Sequence, residues 1–470
     1  MSARVAVVGG GLAGITAALA CADAGHRVTL LESRTRLGGL TYSFDRGGLH
    51  VDNGQHVFLR CCDRYRALLR RLGVEGDVNL QERLDIPVRG PHPRDLLTGS
   101  VEAPAVTGRL RRLAVPAPLH LSWALLRYPW VSTVGRAKFV RAALALRAVD
   151  PGDPRSDETS FGDWLRAHGQ DRAAIESLWE LVGIATLNAR ADDVSLALAA
   201  TVFQIGLLTH SDAADIGWSR VPLGQLHGEA ASRALAAAGV AVETRAKVAG
   251  IQRNPAGWTV SADGEPYDAD AVVLAVPPDA AAALLPPGAV DLPPNWATAL
   301  GSSPIINVHT VFDRKVMAEP FLAGLGTDAQ WVFDRTEAAG LGGPDGSGRE
   351  SDSALQYLAV SVSAADALVD LPTAELRRRF LPALHRLLPA ARAAEVRDFF
   401  VTRERHATFR PSPGTARLRP AARTALPGLH LAGAWTATGW PATMEGAVRS
   451  GETAAAAVLS EHARTPEAVR

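Results

Sequence analysis

The segment His50–Cys62, HVDNGQHVFLRCC, gathers an acid, two amides, two histidines and two adjacent cysteines. Its content suits three chemistries: a metal site, a thiol redox site, or polar groups laid against a cofactor held elsewhere. His50, His56, Cys61 and Cys62 match no usual zinc spacing. Neighbouring cysteines are awkward partners for an ordinary disulfide, which favours structural thiols. Polar acid–base work is the third: a histidine such as His56 suits a proton donor near neutral pH, Asp52 could set its tautomer or raise its pKa if the fold brings them together, and Asn53 and Gln55 could orient a hydroxyl or a water. The same residues also read as a loop-tying acid, Asp52, and a packing histidine, His56.

A second chemical signal lies upstream. Gly9, Gly11 and Gly14 form G-x-G-x-x-G between a strand-like run, Arg4 to Val8, and a helical pattern, Ala13 to Ala24; a further strand, Arg27 to Glu32, ends in an acid. Glycines there let backbone approach a pyrophosphate at the helix N-terminus, where Leu12 and Ala13 follow, and Glu32 is placed to bond ribose hydroxyls. In register, these parts make a dinucleotide site the expected reading.

The elements that must position both signals extend over 470 residues, enough for two or three domains. A formal net charge of zero argues against nucleic acid as a partner. Three cysteines, 21, 61 and 62, make no disulfide framework, and the chain enters a strand at once without a signal-peptide pattern, so a cytoplasmic setting is expected. From Leu96 to Leu208 the pattern is one of long helical stretches with proline breaks. Strands are expected at Val240 to Thr244 and Lys247 to Gln252, then a hairpin and an apolar strand ending at Pro277. A second excursion, about 301–420, opens on IINVHTVF and holds the loop-like GLGGPDGSGRES; a strand, loop and closing helix finish the chain. The expected fold class is α/β: a Rossmann-like, discontinuous cofactor domain of residues 1–95, 210–300 and 421–470, with an interleaved α+β substrate domain of 96–209 and 301–420 that includes the helical insert.

ESRTRLGGLTYSF resembles the second motif of the flavin-dependent amine oxidase and carotenoid desaturase superfamily, and LAGAWTATGWPATMEGAVRSGETAA resembles its last FAD motif. The resemblance implies FAD. It places Glu32 and Ser33 at the adenosine ribose, Arg34 or Arg36 near the phosphates, and Gly38, Gly39 and Leu40 where the chain passes the cofactor. VAVETRAKVAGIQ is similar to the segment that meets adenine, with Val248 at the contact position. Gly433 and the helix start at Met444, Glu445 and Ala447 would aim amides at the flavin pyrimidine. Where the superfamily often has an acid after the tail glycine, this chain has Ala434. Glu445 reads as a cofactor-positioning residue, because enzymes of different chemistry carry a similar EGA.

Asp52, Gly54, Gln55 and His56 occupy the place where the superfamily runs a short strand beside the isoalloxazine ring. DNGQHVFLRCC together with GWPATMEGAVRSG resembles the narrower family of hydroxysqualene dehydroxylases. That resemblance implies reduction of an allylic triterpene alcohol by reduced flavin, with a long apolar isoprenoid as substrate and His56, Asp52 and Gln55 as catalytic residues. A polyprenoid desaturase, an amine oxidase and a non-catalytic flavoprotein partner of terpene synthases are the alternatives. No second dinucleotide fingerprint identifies an electron donor. LHLSWALLRYPWVSTVGRAKFVRAALALRA mixes apolar clusters with Arg127, Arg136, Lys138, Arg141 and Arg147; it suits either a helix on a membrane surface, with Trp123 or Trp130 at the interface, or an ordinary packed amphipathic helix.

Overall fold

The computed structural model describes residues 2–93, 105–341 and 355–463. The boundary expected between 95 and 96 and all but the first two residues of GLGGPDGSGRES lie outside them.

Five short strands form a parallel sheet in the order Ala241–Thr244, Arg27–Glu32, Arg4–Val8, Ala271–Leu274, Leu429–Leu431. Apolar runs suit a sheet covered on both faces. Val5 and Val7 pack beneath helices Leu12–Asp23, Ala230–Ala237 and Met444–Ala463. Ala6 and Val8 turn the other way, onto the meander Val248–Asn254, Gly257–Ala262, Glu265–Ala269. The first and last helices lie close: a Cβ on Gly451 would sit 2.3 Å from the Ala13 carbonyl oxygen. Both helices therefore follow turns at the carboxyl edge of the sheet, the usual ligand crevice of such folds.

A seven-stranded mixed sheet runs in the order Val396–Phe409, Ser302–Phe312, Gln356–Val362, Trp331–Asp334, Phe321–Gly324, Asp85–Gly90, Val106–Arg111. Helix Thr373–Leu387 buries Leu376, Phe380 and Leu384 against it. Two strands correct the sequence reading. Asp85–Gly90, expected in the first cofactor segment, pairs with Phe321–Gly324 in this sheet, and Val106–Arg111 is a strand where helix was expected. In the latter, Gly108 and Leu110 are buried while Thr107, Arg109 and Arg111 are exposed, a period-two pattern too short to stand out beside the helices that follow.

Candidate active site

Glycines at the first turn divide by role. Gly9 has φ +106°, and a Cβ there would meet the Ala275 oxygen at 2.5 Å; one on Gly14 would lie 1.9 Å from the Gly9 oxygen. These two seat the helix against the sheet. Gly11 has an ordinary φ of −77°, and a Cβ there would find only the Gly39 Cα, at 3.8 Å. Gly39, at φ +58°, could not carry a Cβ, which would press to 2.9 Å from the Gly11 Cα. A gap walled by bare backbone thus opens at the amino end of the helix beginning Leu12, Ala13, which fits a pyrophosphate. Glu32 is buried at its flank: Oε2 accepts from the Gly10 N–H at 2.6 Å, and Oε1 from the Arg34 N–H at 2.7 Å and the Ser33 hydroxyl at 3.2 Å. With about four lone-pair positions, the carboxylate retains room for a ribose hydroxyl. The residues present fit FAD.

Other expected cofactor residues surround this gap in different ways. The Arg36 guanidinium stacks 3.6 Å over the Tyr42 ring and donates to the Gly39 oxygen at 3.0 Å, so it braces the glycine pair; burial lowers its pKa. Leu40 is exposed, and Val248 starts its strand half-buried, just before a bulge at Gly250. Gly433, at φ +143°, donates its N–H to the Ser450 hydroxyl at 2.8 Å. Met444 opens the last helix, and the Ala447 N–H is already bonded to the Thr443 oxygen. The Glu445 side chain is bonded within the protein. Its carboxylate accepts from the N–H groups of Tyr65 (2.7 Å) and Arg64 (3.3 Å), capping the start of helix Asp63–Arg71, and pairs with Arg449 at 2.7 Å. Cys61 and Cys62 precede that helix as free thiols.

Asp52 ends the strand Leu49–Asp52, and both oxygens of its carboxylate are bonded within the protein. Oδ1 accepts from the Ser43 hydroxyl (2.6 Å) and the Leu223 N–H (2.9 Å), while Oδ2 pairs with Arg335 at 2.9 Å in a buried ion pair. Among the described residues no hydrogen bond joins Asp52 to His56, so Asp52 does not set its tautomer. His56 Nδ1 instead meets the Gly54 carbonyl oxygen at 3.1 Å. Burial lowers the His56 pKa below its ordinary value, outweighing the Gly54 bond and the Asp52 charge, so His56 is mainly neutral at neutral pH rather than a ready donor. The reading made from spacing is thereby corrected: Asp52 is spent on Ser43, Leu223 and Arg335, and its charge does not lift the His56 pKa above the ordinary value against the effect of burial.

Gln55 and His56 open on a small, narrow cleft, with Asp52 and Arg335 at its polar side and Val57, Trp218, Leu223, Pro320 and Phe333 as apolar walls. Gln55 Nε2 is buried there without a hydrogen-bond partner among the described residues. Asn53 faces away, donating to the Leu40 oxygen (2.9 Å) and to Glu404 (3.0 Å). Beneath Gly54, Asn307 holds the loop through the Gln55 N–H and the Asn53 carbonyl, each at 3.3 Å. Arg335, Asn307, Glu404, Trp218 and Phe333 were not found by sequence reasoning; none belongs to a local motif. Tyr65 and His227, joined at 2.8 Å between oxygen and Nε2, were missed for the same reason. Burial lowers the His227 pKa to about 3.

The family model described as flavin containing amine oxidoreductase matches residues 12–459. The chain is 30% identical to a hydroxysqualene dehydroxylase of Rhodopseudomonas palustris, over 98% of this chain and 99% of that protein. It is 26% identical to a zeta-carotene desaturase of Synechocystis sp., over 99% of each. A putrescine oxidase variant of known structure shares the fold, with a TM-score of 0.70 and 21% identity over 98% of this chain and 99% of that one. With the glycine gap and Glu32 in place to receive the cofactor, the chain belongs to the flavin-containing amine oxidoreductase family and is an FAD-dependent oxidoreductase.

Proposed function

We propose that this enzyme reduces hydroxysqualene to squalene, exchanging an allylic hydroxyl for hydrogen. One observation carries the reading: the buried, unpartnered Gln55 Nε2 beside the apolar walls of the cleft. An alcohol on a hydrocarbon chain supplies an oxygen for that amide and an apolar body for the walls. A pure hydrocarbon would leave the amide unsatisfied, at a cost of about 1–3 kcal/mol, which disfavours polyprenoid desaturation. The matches to a dehydroxylase and a desaturase support an isoprenoid substrate.

Reduced FAD, when bound, supplies the hydride. The side chains hold the hydroxyl and manage its proton. His56 Nδ1 donates to the Gly54 carbonyl, which leaves Nε2 to accept from the substrate hydroxyl. Departure of the oxygen as water needs an added proton, which imidazolium His56 can give from Nε2. Because the His56 pKa is lowered, its protonated fraction grows as pH falls. Turnover is therefore expected to decline as pH rises through a value below 6.5. A kcat profile that stays flat from about pH 5 to 8 would remove His56 as the proton source. The Gln55→Leu variant should lose roughly 5- to 150-fold in kcat/KM for hydroxysqualene while keeping its FAD.

The reading itself is tested by reducing the flavoprotein anaerobically, adding hydroxysqualene, and following the flavin spectrum with mass spectrometry of extracted lipid. Flavin reoxidation with squalene formed is the expected result. Reduced enzyme that ignores the alcohol, while oxidised enzyme takes electrons from a polyprenoid hydrocarbon, would replace it with desaturation.

A further inference from the structure

Ten large hydrophobic side chains are exposed among the described residues, and seven of them fall between Val115 and Leu144. Leu119, Trp123 and Leu126 lie on the turn Leu119–Leu121 and the helix Ser122–Arg127. Val134, Val140 and Leu144 lie on the helix Thr133–Leu146. The exposed positions 134, 137, 138, 141 and 144 recur at three- and four-residue spacing, so they share one helix face. Arg136 ties the two helices together by donating to the Tyr128 carbonyl at 2.9 Å, and it is half-buried rather than turned to solvent. Trp130 is buried as well, its indole N–H bonded to the Pro91 oxygen. Trp123 is therefore the tryptophan left at the surface, half exposed, with the Arg127 guanidinium 4.2 Å over its ring.

Charge is as one-sided as the apolar content. Residues 103–149 contain eight lysines and arginines and no acid. Arg127, Lys138, Arg141 and Arg147 are exposed on or beside the apolar face.

We propose that this face is a docking surface for an anionic lipid bilayer. Aliphatic side chains and Trp123 would enter the boundary between headgroups and acyl chains, and the four cations would meet the headgroups. No helix among the described residues is long and apolar enough to cross a membrane, so the contact would lie in the plane of the surface. A second copy of the chain fits the face poorly, because a two-fold contact would set cation against cation. Inward, Ala124, Leu125 and Tyr128 pack in the same apolar cluster as Phe333, with Trp218 against it, and those two side chains wall the cleft. Docking would thus place the bilayer one helix layer from the cleft. The proposal stands apart from the reaction proposed above and survives its failure.

Flotation of the full-length flavoprotein tests it, using vesicles of phosphatidylcholine with an equal share of phosphatidylglycerol, and of phosphatidylcholine alone. The protein should float with the anionic vesicles and release as salt is raised. Two independent variants, Trp123→Ser/Leu126→Ser/Val134→Ser and Lys138→Glu/Arg141→Glu, should each lower the bound fraction about tenfold with an unchanged flavin spectrum. Protein that floats with neither vesicle, or variants that float like the parent, would overturn the proposal. So would self-association abolished by the apolar variant in a protein that ignores lipid, since the face would then be a contact between copies.

Discussion

Gly11→Ala should give a stable chain that holds FAD about 5- to 150-fold more weakly, whereas Gly14→Ala, three residues further along the same motif, should fail to fold normally. The two glycines look equivalent in the motif but meet different surroundings. At Gly11 the backbone is in a region any residue adopts, and the protein leaves 3.8 Å to the nearest heavy atom. The added methyl would intrude only on what passes through the gap, an overpacking of about 1–3 kcal/mol charged against the cofactor. At Gly14 the methyl would overlap the Gly9 oxygen at 1.9 Å and crowd Ala275 at 3.2 Å, forcing the helix off the sheet. Thermal melts of the apoproteins and titration with FAD separate the cases. A Gly11→Ala chain that binds FAD as the parent does would show that the gap is not the pyrophosphate path.

Arg335→Met should destabilise the protein by about 3–5 kcal/mol, because it strands the buried Asp52 carboxylate without its cation. Asp52 would keep its bonds from Ser43 and Leu223, which are insufficient alone to offset a desolvated charge. Removing both charges in Asp52→Asn/Arg335→Met should recover most of the loss, since a neutral amide can still bond those donors. Denaturant midpoints of the parent, both single variants and the double variant measure the coupling. A double variant no more stable than Arg335→Met would mean that Arg335 acts through its bond to the Ser219 carbonyl rather than through Asp52.

The same ion pair shows why the catalytic segment was read only in part. In HVDNGQHVFLRCC, residues 50–62, the partner expected for Asp52 is His56, four positions on. The chain instead turns at Gly54, so that the His56 ring bonds its own loop and Asp52 faces Arg335, 283 residues away. Likewise Glu445 sits in a cofactor-like motif, yet its carboxylate is spent on the first turn of a helix 380 residues earlier. Neither partner leaves a trace in local spacing.

The sequence by itself determined the FAD half of the protein. Strand, glycine turn, helix and terminal acid lie within residues 4–32, and their backbone requirements are written in adjacent residue types. It also singled out Gln55 and His56, which line the cleft. Tertiary structure alone decided what those groups can do. It closed apolar walls from Trp218 and Phe333 around the Gln55 amide, buried His56 until its pKa fell, and neutralised Asp52 with Arg335. Burial and long-range pairing set the protonation and solvation of a side chain, and both depend on residues that only the folded chain brings together.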